Sequence, residues 1–497
     1  MESETNHHLN VIFLPFPATG HMNPLVDIAR LFAKHGASVT IITTHANALT
    51  YQKAIENDLR CGYHITAQLL PFPSAQVGLP QGVEHFKDGT SQEEARKICL
   101  GMELLKDRIE LLFQDLQPDC LVTDMLYPWT VDSASKLGIP RLYFYSSSYF
   151  SNCASYSVRN YKPPHESLVS DTKFTVPGFP TSVEMTTLQL AERVRTRIGD
   201  KSFRDALCES ESRSYGALYN SFHELESDFE QYYNSTMGIK SWSIGPVSAW
   251  IDKDGVKKEN MGLNEELAQE PEWLIWLNTK QNQSVLYVNF GSLARLPHSQ
   301  LVELAHGLEN SGHDFIWVIR KKHGDHDECG DNFQQDFEQK MKETGKGYVI
   351  WNWAPQLVIL NHNAIGGVVT HCGWNTVIES LNVGLPMITW PMFAEQFYNE
   401  ALLTHVLKVG VSVRSEEKTL LESTNEGVLV TREEISKAVA MLMEGGEESK
   451  EMRKRAREIG DGARKSIEES GSSFNNLMRL LDELKSLKMS RMLEKTN

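Results

Sequence analysis

Two polar clusters in this 497-residue chain carry side chains whose types and spacing suit chemistry. The first is Gly20-His21-Met22-Asn23-Pro24, directly after the apolar run NVIFLPFP. An imidazole changes charge near neutral pH and can take the proton of a hydroxyl. Asp124 closes a second apolar run, CLVTD. A carboxylate behind an imidazole holds its tautomer and stabilises the imidazolium. The second cluster is His371-Cys372-Gly373-Trp374-Asn375-Thr376, where the run GGVVTH gives way to a helical pattern. The open N–H groups and dipole of a helix N-terminus favour a diphosphate. His371, Asn375 and Thr376 add side-chain donors there, and Glu379 lies one turn beyond Asn375 on the same helix face. Gly291-Ser292, just past SVLYVNF, forms another strand-to-loop turn of the kind that meets a phosphate.

Short apolar strands must place these residues. NVIFLPFP (10–17), SVTIITT (38–44), CLVTDM (120–125) and RLYFY (141–145) alternate with helical patterns over 23–34 and 129–137. The second half repeats the scheme with strands at 284–290, 315–320, 348–353, 366–371 and 386–390. Helices are expected near 298–310, 375–382, 394–406, 431–443 and 450–466. This alternation predicts an α/β fold of two doubly wound, Rossmann-like domains. Ligands of such sheets sit beyond the carboxyl ends of the strands. The expected division is 1–248, a polar linker at 249–270, a second domain at 271–470, and a C-terminal helix from 471 to 497. Ser472 or Ser473 is expected to cap that helix. Its Phe474, Leu477, Leu480, Leu481 and Leu484 make an apolar stripe that must pack, in our reading on the first domain.

Composition narrows the classes. A net charge of −16 argues against nucleic acid and against an anionic membrane surface. The seven scattered cysteines read as reduced thiols in a cytoplasmic protein. The N-terminus lacks a signal peptide's basic and apolar regions, and no stretch reaches the length of a membrane span. Asn234 and Asn282 begin glycosylation-type triplets that carry no weight without export. Gly-x-Gly-x-x-Gly is missing after the first strand, which disfavours a nicotinamide-dependent oxidoreductase. Asp252 and Asp254, Asp325 and Asp327, and the trio His323, His326 and Cys329 fall in polar loops, where chance spacing accounts for them. No metal is expected.

The segment Trp353–Gln396, WAPQLVILNHNAIGGVVTHCGWNTVIESLNVGLPMITWPMFAEQ, resembles the signature box of the plant family 1 UDP-glycosyltransferases over its full length, without insertion. That family has the GT-B fold, two such domains facing across a cleft. Taken alone, Trp353 reads as a core residue, whereas the resemblance implies that it stacks on uracil, with Ala354 and Gln356 nearby. It implies that His371, Gly373, Asn375, Thr376 and Ser292 hold the diphosphate, with Thr19 also reaching it, and that Trp374 adds a backbone contact beside the sugar. Glu379 then binds the ribose, Glu395 and Gln396 read the sugar, His21 is the base and Asp124 its partner. Gln at position 396 points to UDP-glucose, because galactose users commonly carry His there.

The implied reaction is an inverting transfer of a hexose from a UDP-sugar to a hydroxyl of a small apolar acceptor. PLVDIARLFAKHG, AQVGLP, SYGALYNSFHELES and SGHDFIWVIRKK resemble the branch that glycosylates triterpenes and saponins, soyasapogenol glucuronides among them. Segments 76–86, 125–130, 143–152 and 180–200 are the expected acceptor-contacting loops. A flavonoid or phenolic acceptor, UDP-galactose or UDP-glucuronate as donor, and a non-catalytic nucleotide-sugar-binding protein are the alternatives. The expected state is a monomer.

Overall fold

The computed structural model describes residues 8–88, 91–161, 173–186, 189–190, 201–253, 270–294, 296–320, 333–414 and 429–496. Asp254, Asp325, Asp327, His323, His326, Cys329, most of the 249–270 linker and residues 191–200 therefore lie outside the described residues.

Strands β1 (Asn10–Leu14), β2 (Ser38–Thr44), β3 (Ile65–Leu70), β4 (Cys120–Asp124) and β5 (Arg141–Tyr145) belong to the first sheet. A small antiparallel pair, β6 (Lys173–Thr175) and β7 (Glu184–Thr186), stands apart. The first sheet continues through β8 (Gly216–Tyr219) and β9 (Ser241–Ser243), giving the order β3-β2-β1-β4-β5-β8-β9. All its pairings are parallel. Parallel strands need a crossover between them, which fixes helices on both faces and buries each strand on both sides. Alternate residues accordingly enter different cores. Val11 and Phe13 join a cluster with the helix Thr19–Lys34, whereas Ile12 and Leu14 join one with Ile98, Met102, Ile109 and Phe113.

The second sheet contains β10 (Val285–Asn289), β11 (Asp314–Ile319), β12 (Gly347–Trp351), β13 (Ile365–Thr370), β14 (Met387–Thr389) and β15 (Gly410–Ser412). Its order is β12-β11-β10-β13-β14-β15, again wholly parallel. The helix Arg432–Met443 opens with a full capping box, Thr431 with Glu434. The order reverses once in each sheet, between β1 and β4 and between β10 and β13.

The chain divides into two compact units. Met1–Ser146, Gly199–Trp250 and Ser466–Asn497 make the first, and Ser147–Ile198 with Ile251–Lys465 the second. This differs from the expected 1–248 boundary. Residues from Ser147 group with the second unit, where the Ser148 hydroxyl donates to Asn399 Oδ1 at 2.8 Å. The C-terminal helix runs Ser472–Thr496 and belongs to the first unit. Leu477, Leu480, Leu481 and Leu484 share its core with Val247, Ala249 and Trp250. Asn476 Nδ2 donates to Ser243 O at 2.9 Å, and Lys488 and Arg491 pair with Asp119 at 3.0 and 3.2 Å. Neither serine stands ahead of the helix as a cap. Ser472 and Ser473 fall within its first turn, with hydroxyls that donate to Glu224 Oε2 and Gly245 O.

No helix among the described residues is long and apolar enough to cross a membrane. Truncating a fully packed leucine leaves a cavity as well as losing buried surface. Leu481→Ala is expected to cost about 2–5 kcal/mol, read as a lowered melting midpoint, while an exposed position such as Leu493 tolerates the same change.

Candidate functional site

His21 sits in the first turn of a helix that begins at Thr19, four residues earlier than the pattern predicted. Its backbone N–H donates to Ala18 O at 2.9 Å. The helix starts at the carboxyl end of β1, and Asp124 ends β4, the neighbour of β1 across the order reversal. This brings together two residues 103 positions apart, with His21 Nδ1 and Asp124 Oδ2 at 2.8 Å. Asp124 is fully buried, and its other oxygen accepts the Leu126 N–H at 2.9 Å. The carboxylate therefore has a fixed orientation. Facing an acceptor-only group, His21 carries its proton on Nδ1, and Nε2 faces the Ser146 hydroxyl at 3.3 Å. Phe16 packs edge-on against the imidazole and contacts Phe86 and Tyr127, giving the ring an aromatic wall. Thr19 is half-buried at the helix start, where Ala18 supplies no side-chain cap.

Asp124 has a support that no motif signals, the Arg141 guanidinium, whose Nη2 donates to the Asp124 carbonyl at 3.4 Å. Arg141 is buried on β5, where its Nε donates to Thr123 Oγ1 at 2.8 Å and its Nη1 to Ser214 Oγ at 2.7 Å. Burial pushes its pKa down to about 10, which still leaves it charged at neutral pH. A charged residue inside the apolar RLYFY strand was the available signal.

In the second unit the corresponding reversal joins β10 to β13. Gly291 follows β10 with φ +75°, and His371 follows β13. A Cβ on Gly291 would lie 2.4 Å from His371 Cε1, and one on Gly373 2.5 Å from Nε2. Glycine at both positions is what lets the imidazole lie against the two turns. Its Nδ1 is buried and meets no partner among the described residues. Burial, and secondarily the Arg320 charge, push its pKa down to about 4, so the ring is neutral at pH 7. Arg320 Nε also donates to Gly291 O at 2.9 Å.

The helix Trp374–Asn382 opens at Gly373, which contributes no side-chain cap. Trp374 and Thr376 are buried, Asn375 is half-buried, and Ser292 is half-buried in the Gly291 turn. Trp353 is not a core residue. It is 63 % exposed, beside half-buried Ala354. The Gln356 amide is engaged within the protein. Its Nε2 donates to Glu379 Oε2 at 2.6 Å and Thr376 Oγ1 at 3.3 Å, and its Oε1 accepts from Asn289 Nδ2 at 2.5 Å. Gln356 thus orients Glu379. Asn289, which also accepts the Gly291 N–H at 2.9 Å, was signalled only by its polarity inside SVLYVNF. Glu395 is half-buried immediately before the helix Gln396–Ala401. Gln396 is buried, and its Oε1 accepts the N–H groups of Met392 and Phe393 at 2.9 and 3.0 Å.

Asn352, Cys372 and Ala394 adopt φ of 69°, 65° and 57°, each one residue before Trp353, Gly373 and Glu395. Four further non-glycine residues with positive φ, Gln117, Gln283, Lys408 and Ser470, lie outside these turns, so backbone strain of this kind marks the three turns without being confined to them. Among the described residues no group of three His, Cys, Asp or Glu side chains is arranged to hold a metal.

Residues 83–443 match the model of the family described as UDP-glucoronosyl and UDP-glucosyl transferase. The chain belongs to this family. It is 50% identical over 489 residues to a soyasapogenol B glucuronide galactosyltransferase of Glycine max, covering 98% of each chain. It is 42% identical over 499 residues to a Fragaria ananassa UDP-glucose flavonoid 3-O-glucosyltransferase, covering 99% of this chain and 100% of the relative. The crystal structure of Glycyrrhiza uralensis UGT73P12 complexed with glycyrrhetinic acid 3-O-monoglucuronide superposes with a TM-score of 0.91 at 45% identity, covering 98% of both chains. The protein is a UDP-dependent glycosyltransferase of GT-B fold, taking a UDP-sugar and a small-molecule acceptor.

The depressed His371 pKa links stability to acid. As pH falls from about 6.5, the ordinary histidine value, towards 4, the unfolded chain takes up a proton that the folded ring resists. Stability present above that window is therefore lost through it. His371→Gln is expected to lose less melting temperature than the parent between pH 7 and pH 5.

Proposed function

We propose that the protein is an inverting UDP-hexosyltransferase in which His21 is the base and Asp124 its partner. The observation that carries this reading is the 2.8 Å contact between His21 Nδ1 and a fully buried, doubly bonded Asp124. With Nδ1–H committed to the carboxylate, Nε2 is the lone pair that takes the acceptor's hydroxyl proton. The acceptor oxygen then attacks the anomeric carbon, the bond from that carbon to the diphosphate breaks, and UDP leaves with the electron pair. A single displacement converts an α-linked donor into a β-glycoside. The leaving diphosphate is held by the N-terminus of the helix Trp374–Asn382, with His371, Asn375, Thr376 and Ser292 as donors. Thr19 is a further phosphate contact. Exposed Trp353 stacks on uracil beside Ala354, Gln356 sets Glu379 against the ribose, and Glu395 with Gln396 reads the sugar.

Glucose is the preferred sugar in this reading. The Gln396 carbonyl already takes two backbone N–H groups, so its Nε2 is what remains to meet a sugar hydroxyl. A histidine has one acceptor nitrogen at most and cannot reproduce both bonds. UDP-galactose is the second reading, favoured by the activity in the name of the Glycine max relative. The acceptor is an apolar triterpenoid sapogenin or its glycoside. That reading rests on the same relative and on the ligand of the Glycyrrhiza structure. A flavonoid is the alternative that the Fragaria relative's name keeps in view.

Crossing UDP-glucose, UDP-galactose and UDP-glucuronate with triterpenoid glycosides and flavonoids, and reading product mass, tests donor and acceptor together. His21→Ala is expected to lower kcat by about 10²–10⁴-fold with UDP binding retained, and wild-type turnover would remove the base assignment. Gln396→His is expected to lower kcat/KM for UDP-glucose by about tenfold. An unchanged value would detach Gln396 from sugar selection.

A further inference from the structure

Asn399 lies in the helix Gln396–Ala401, one turn beyond Glu395 and Gln396, and is fully buried. Its Nδ2 donates to Cys372 O at 2.9 Å and to Ser147 Oγ at 3.4 Å, and its Oδ1 accepts the Ser148 hydroxyl at 2.8 Å. The Cys372 carbonyl only accepts, so it takes the Nδ2 end of the amide, and the Ser148 hydroxyl holds the Oδ1 end by donating to it. Cys372 is the left-handed residue between His371 and Gly373, and its own N–H donates to Thr370 Oγ1 at 3.1 Å. Both peptide groups of the strained turn are therefore held by buried side chains, the N–H from β13 and the carbonyl from the helix that follows Glu395.

We propose that Asn399 is a positioning residue that fixes the His371–Gly373 turn relative to the Glu395–Gln396 pair, and so sets where a bound UDP-sugar presents its anomeric carbon. The proposal rests on the donor-site reading above. The turn holds the diphosphate and the pair holds the sugar, so the glycosidic bond that breaks is stretched between two elements joined by one buried amide. Ser148 acts through Asn399 by orienting it. In-line displacement is sensitive to such placement, because a shift of the reacting carbon weakens catalysis without removing any group that touches the substrate.

The test uses the full-length protein and the UDP-hexose that the wild type turns over. Asn399→Asp keeps the shape but sets a carboxylate oxygen against the Cys372 carbonyl. Asn399→Ala removes the tether, and Ser148→Ala leaves the tether but frees its orientation. UDP affinity by calorimetry, kcat, both KM values and melting temperature are measured for each. Asn399→Asp and Asn399→Ala are expected to lower kcat by about a hundredfold and to weaken UDP binding, with acceptor KM unchanged. Ser148→Ala is expected to move the same quantities in the same direction by less. Wild-type kcat and UDP affinity in the Ser148 and Asn399 variants, whatever their melting temperatures, would overturn the proposal. If the Asn399 variants do not fold, Ser148→Ala decides alone. A wild-type protein that transfers sugar beside an unaffected variant sinks only this inference, whereas one that binds no UDP sinks the donor-site reading with it.

Discussion

A doubly wound parallel sheet reverses its strand order once, and the loops leaving the two strands at that point turn to opposite faces. Everything chemical in this protein depends on that constraint, applied twice. In the first sheet the reversal lies between β1 and β4, and the residues leaving those strands are His21 and Asp124. In the second it lies between β10 and β13, and they are Gly291 and His371. Neither pair is close in sequence. The sheet's register makes each a near neighbour, and the buried β-branched and aromatic strands keep it so.

The local chemistry then makes exacting demands on the backbone. His371 fits only because Gly291 and Gly373 present no Cβ to it. Asn352, Cys372 and Ala394 occupy the left-handed region without being glycines, at about 1–3 kcal/mol each. Side-chain tethers hold these turns. Thr370 and Asn399 clamp Cys372, and Gln396 gathers the N–H groups of Met392 and Phe393. The Gln356 amide shows the same economy, since it organises Asn289, Thr376 and Glu379 around one group.

Much of this was legible in the sequence, and the exceptions have physical causes. Strands buried on both faces, such as SVTIITT and RLYFY, announce themselves as apolar runs. The unannounced ones were β3, an edge strand whose Thr66, Ala67 and Leu69 face solvent, and β6, β7, β8, β9 and β15, which are too short to show a period. The helix bearing His21 begins at Thr19, because Pro24 is tolerated within it. The residues named as candidate ligands could be read from a contiguous motif. Their supports, Arg141, Asn289 and Asn399, come from other elements and become visible only when the sheet order is known. Residues 147–198 were assigned to the first domain by position along the chain. Ser148 ties their start to the second unit by a bond that no local pattern encodes.

The helix Ser472–Thr496 closes the core of the unit that begins at the other end of the chain. Leu477, Leu480, Leu481 and Leu484 cover a surface formed by Val247, Ala249 and Trp250 together with the helix Thr19–Lys34. A ribosome delivers that surface long before it delivers its cover. During synthesis the first unit is thus an incomplete globule with an open apolar flank, and it reaches its final stability only after the helix Ser472–Thr496 has emerged. The helices Thr19–Lys34 and Ser472–Thr496 are obliged to mature together, and most of the second unit is made while the first still waits to be closed.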